Sequence, residues 1–269
     1  MLILGSSVSG GTASMEARAA ASLGLGTEVV TPAQWEDMTP QEFMTYRALI
    51  IGDAACTNDE AAFQAALDSR SRWGPIIDGN IFIIGSNPSS NSTTTPPDID
   101  PIVLGGVELA TERPLLTGMY LSLGCAYQHA PLDTPVPLLS PFGEFTVAGH
   151  GATRGHVPAQ LPPTFSQRVS DGLLTGTDGE ATRLVFTHYP SHDFLVGALA
   201  VDETGSMPGS QPFCDDEGRE TFTGAPFILM RGAMATGLAC SGDSGPRPPL
   251  AGQPPVAACR DVTVVLTNV

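Results

Sequence analysis

In the first third of the chain, short and wholly apolar runs alternate with alanine-rich or amphipathic stretches. Leu2-Ile3-Leu4, Glu28-Val29-Val30, Ala48-Leu49-Ile50-Ile51 and Ile81-Phe82-Ile83-Ile84 read as strands. The stretches between them read as helices. Ser14 is placed to cap one over Met15 to Leu23, Pro40 to Met44 supplies a turn or two, and Asn58 is placed to cap another over Asp59 to Arg70. Continuous apolar strands separated by helices imply a parallel sheet covered on both faces. The expectation is a doubly wound α/β domain. In it, Leu2 to Leu4, Ala48 to Ile51 and Ile81 to Ile84 are central, parallel and mutually adjacent.

The pattern then loosens. Ser86 to Pro97 is a Ser/Thr/Pro loop, and Asp98 to Glu112 reads as a helix weakened by Pro101 and paired glycines. Thr117 to Cys125, Glu144 to Ala148, Arg183 to Thr187, Phe194 to Ala200 and Pro226 to Met230 read as further strands. Beyond Gly237 the chain has linker composition up to Pro255, and Val262 to Leu266 then reads as one strand without a partner. The domain boundaries follow: 1–237, a linker over 238–255, and a new unit over 256–269.

Charge narrows the function classes. The formal net charge is −16, and all 12 basic residues are arginine. Without clustered cations, binding to nucleic acid is not expected. Without lysine, neither a P-loop nor a Schiff base can be built. No apolar run reaches the length of a membrane span. Cys56, Cys125, Cys214, Cys240 and Cys259 make an odd set of 5, so one thiol stays free or pairs outside the chain. Met1-Leu2-Ile3-Leu4 has no basic flank and is cut short by Gly5, so it does not read as a secretory leader. The chain is then cytoplasmic if Met1 is the true start, or a piece of a longer secreted protein.

Leu2-Ile-Leu-Gly-Ser, Ala48-Leu-Ile-Ile-Gly-Asp, Trp73-Gly-Pro and Gly79-Asn-Ile-Phe-Ile-Ile-Gly-Ser resemble a bacterial domain of the class I glutamine amidotransferase-like superfamily. The likeness runs on through Tyr120-Leu-Ser-Leu-Gly-Cys125, Thr134-Pro-Val-Pro-Leu-Leu, Asp193-Phe-Leu-Val and Gly224-Ala-Pro-Phe-Ile-Leu-Met-Arg-Gly232. It spans about residues 1–232 and implies a flavodoxin-like, three-layer sandwich. From Pro254, Pro-Pro-Val-Ala-Ala-Cys-Arg-Asp-Val-Thr-Val-Val-Leu is similar to the opening strand of a hyalin-repeat-type β-sandwich module. That second resemblance implies an extracellular or cell-surface setting, a fragment without its signal peptide, and neighbouring β-sandwich modules in the same polypeptide. An oxidising compartment favours disulfides. We expect one between Cys214 and Cys240, with Cys259 left for the next module.

For chemistry, the first resemblance points to Cys125 as the nucleophile, His188 as its base and Asp193 or Glu144 as the orienting acid. A thiol nucleophile needs an imidazole to take its proton and a carboxylate to orient that imidazole. Active members carry small residues two places before and two after the cysteine, in a strained elbow. Here those places hold Leu123 and Tyr127, which favours a non-catalytic domain with a binding or structural role. A cysteine-dependent hydrolase or amidase is the alternative.

A second alternative is a phosphate- or flavin-binding loop at Gly5 to Ser14, where Ser6, Ser7, Ser9, Gly10 and Gly11 would form the cradle. The competing reading is a tight first strand-to-helix turn, favoured by an aromatic content of only 6%. No cofactor and no metal are expected. His188 and His192 are four apart but separated by Pro190. His150 and His156 lie in a glycine-rich loop, and Asp215-Asp216-Glu217 lacks calcium-loop spacing. Cys240-Ser-Gly-Asp-Ser244-Gly-Pro, despite its protease-like look, reads as linker.

Overall fold

A computed structural model describes residues 1–52, 61–88, 99–152, 154–158, 161–170, 174, 182–201, 207–214 and 220–232. Asn58, Cys56, Asp215 to Glu217, Cys240, Cys259, the linker and Val262 to Leu266 lie outside them. So does the side chain of Cys214.

The chain opens with β1 (Leu2–Leu4), α1 (Met15–Ser22), β2 (Glu28–Val30), α2 (Pro32–Asp37), α3 (Pro40–Phe43) and β3 (Ala48–Ile51). It continues with α4 (Ala61–Asp68), α5 (Arg70–Trp73), β4 (Ile81–Ile84), α6 (Pro101–Ala110) and β5 (Gly118–Ser122). The remainder is mostly strand: β6 (Thr134–Pro135), β7 (Thr146–Ala152), β8 (Arg154–His156), a turn of helix α7 (Pro163–Ser166), β9 (Thr182–His188), β10 (Leu195–Val201), β11 (Gln211–Cys214) and β12 (Glu220–Arg231).

Among the described residues, a 9-stranded sheet has the order β2-β1-β3-β5-β4-β12-β10-β8, with β11 beside β12. From β2 to β4 the neighbours in this order are parallel, and from β4 onward they are antiparallel. A smaller antiparallel sheet joins β6, β7 and β9. The protein is therefore α/β, built on a large mixed sheet in which β1 to β5 are parallel.

The three apolar runs do share one sheet and one direction, but they are not all adjacent. β3 pairs with β1 on one side and with β5 on the other, so β5 separates β3 from β4. Apolarity predicts burial, and all four strands are wholly buried. It carries no information on which buried strand lies beside which.

Alternation along the strands supplies two cores. Ile3, Ile50, Phe82, Ile84 and Tyr120 face one way, onto Met15 and Ala19 of α1 and Val103 and Val107 of α6. Leu4, Leu49, Ile51, Ile83 and Leu121 face the other, among Trp35, Phe43, Ala66 and Trp73. Val147, Leu184 and Phe186 of the small sheet extend this second core.

Local chemistry explains several elements. Asp100 caps α6 by accepting from the Ile102 amide at 2.7 Å. Gly106 is what lets this helix reach the sheet: a Cβ there would lie 2.5 Å from the Phe82 ring. Phe82 in turn stacks on Tyr120 with centroids 5.7 Å apart. Helices α2 and α3 each begin with a complete capping box, Thr31 with Gln34 and Thr39 with Glu42. Among the described residues, no helix is long and apolar enough to cross a membrane.

Candidate functional site

In an open parallel sheet, the carboxyl ends of the strands line one edge, and a crevice opens where successive connections leave in opposite directions. Here β1 is followed by β2 on one side, and β3 then lies on the other. The crevice therefore falls between β1 and β3, under the Gly5–Ser14 loop. The same edge carries Gly52 after β3, Gly85 to Asn87 after β4, and Leu123 to Cys125 after β5.

Among the described residues, several groups at this edge bond to one another. The buried Ser7 hydroxyl donates to Leu4 O at 2.8 Å and accepts from the Gly52 amide at 2.9 Å. A Cβ at Gly52 would lie 2.7 Å from Val8 Cγ1 and 2.8 Å from both Glu16 Oε1 and Ser7 O. Ser6 Oγ donates to Ala62 O at 2.9 Å. Ser9 and Gly10 are exposed and Gly11 is half-buried; the two glycines take positive φ values of 88° and 57°. The loop winds through two 3-10 turns, Gly5–Ser7 and Gly11–Ala13, and of its four serine hydroxyls those of Ser6, Ser7 and Ser14 are bonded to backbone.

The start of α1 is also occupied. Ser14 Oγ accepts from the Ala17 amide at 3.2 Å. The buried Glu16 carboxyl is pushed above the usual carboxylate range by burial, opposed by hydrogen bonds from its own amide and from Ser14. The first amides of α1 thus have partners within the chain: the Ala17 amide in Ser14 and the Glu16 amide in its own side chain.

At the β4–β5 end of the edge, two loops interlock. A Cβ at Gly124 would stand 2.6 Å from the Ser86 carbonyl, so the loops touch backbone to backbone. Ser122 Oγ donates to Ser86 O at 3.1 Å. Cys125 is buried, its sulfur is held in a disulfide, and Asn87 Nδ2 donates to that sulfur at 2.5 Å. The Ser86 hydroxyl is buried and has no hydrogen-bond partner among the described residues. Nearby, Arg183 Nη1 donates to Gln128 Oε1 at 3.1 Å.

His188 and Asp193 belong to the small sheet and the turn after it. His188 ends β9 in the small sheet, opposite Thr146, and is exposed. Asp193 is exposed in the turn that follows, its amide bonded to Pro190 O at 3.1 Å. Its charge acts on Arg231, whose guanidinium is pushed below its usual range by burial and raised again by Asp193. Arg231 lies 4.9 Å from the Phe142 ring centroid and 5.8 Å from that of Phe194. Among the described residues, no hydrogen bond links Cys125 with His188 or His188 with Asp193. No group of three or more His, Cys, Asp or Glu residues among them is placed to hold a metal ion.

Sequence reading passed over Glu16, Ser86 and Asn87. The signal for the last two was present: a Ser-Asn pair directly after a buried strand and its closing glycine sits at the edge where sites form. What the fold and this edge define is an α/β protein whose described carboxyl-edge loops bond to one another. Compared with protein-family models, curated proteins and solved structures, the chain has no match.

Proposed function

We propose that residues 1–237 form a non-catalytic, amidotransferase-like domain of a secreted or cell-surface multidomain protein, with a binding or structural role. The observation that carries this reading is the state of Cys125: a buried sulfur in a disulfide, with no hydrogen bond to the exposed His188. A nucleophile must present a thiolate, and a disulfide sulfur cannot. The packing at this edge supports the same reading, because Ser7, Glu16 and Gly52 already engage one another at the first strand-to-helix loop. An oxidised cysteine pair is at home outside the cytoplasm, which agrees with a chain leading into extracellular β-sandwich modules.

Alkylation of the native, unreduced protein with iodoacetamide near neutral pH tests the proposal. Peptide mass mapping should find Cys125 unmodified. Fast, selective labelling of Cys125 that is lost in His188→Ala would instead reveal an activated thiolate and establish the cysteine-hydrolase alternative.

A further inference from the structure

We draw no further inference here: the strongest candidate, the buried Ser86 hydroxyl beside the Asn87–Cys125 contact at the carboxyl edge of the large sheet, belongs to the site already described.

Discussion

A single hydrogen atom stands where a side chain at Gly52 would meet a backbone carbonyl, a carboxyl oxygen and a valine methyl together. Gly52→Val should therefore cost stability through overpacking, about 1–3 kcal/mol, read as a lower midpoint in urea. Glu16 sets a pH dependence whose sign is fixed by its surroundings. Its carboxyl titrates above the ordinary 4.5 in the folded protein, so the native state holds that proton longer than the unfolded chain. Its contribution is neutral below the unfolded value. It becomes a penalty as pH rises toward the folded value and stays a constant penalty above that. Glu16→Gln removes this titration. Urea titrations from acid to neutral pH should show the wild-type protein losing stability relative to Glu16→Gln across that window, with the difference level beyond it. A difference that does not change with pH would mean that Glu16 titrates alike in both states.

At the scale of elements, legibility followed periodicity and end signals. β1 to β4 and α1 emerge from runs of one character, and Ser14 caps α1 as its position predicts. Helix α2 does not emerge from the sequence, because it has no apolar stripe; the capping box of Thr31 and Gln34 marks its start in the structure. Nor do the short strands β6, β8 and β11. They contain Pro135, Gly155 and Pro212, residues that count against a strand, and they exist through their partners. The candidate site was half legible. Cys125 was visible as a cysteine closing a strand, whereas its contact with Asn87 joins residues 38 apart in sequence, which no local pattern reports. Thr31→Ala and Thr39→Ala each remove one box and should each lower stability by about 0.5–2 kcal/mol. Gly106→Val should do more damage than either, because α6 would be driven off Phe82. Thermal unfolding of the three variants ranks them.

At the scale of the whole molecule, the disulfide at Cys125 needs a second cysteine. Gly52 follows β3, the strand next to β5, and Cys56 comes four residues later in sequence, so the chain can carry it at most about 14 Å from that glycine. We expect a Cys56–Cys125 bridge tying the exits of two neighbouring strands, and a separate Cys214–Cys240 bridge. Denatured, unreduced protein should titrate fewer than the 5 thiols of the sequence. Non-reducing peptide mapping should recover both linked pairs, and linkage of Cys125 to any other cysteine would overturn the first assignment.

The insertion of β5 between β3 and β4 has a consequence for how the chain comes off the ribosome. Ile81-Phe82-Ile83-Ile84 has two neighbours in the finished sheet, β5 and β12, and both are synthesised after it. Until residues 118–122 emerge, this apolar segment has neither edge satisfied, and its second edge waits for residues 228–231, near the end of the described domain. Such a segment is a template for pairing with another chain. A nascent or truncated product ending before Gly118 should fail to fold cooperatively and should sediment with aggregates. Early termination, more than point substitution, is the event against which this topology has least protection.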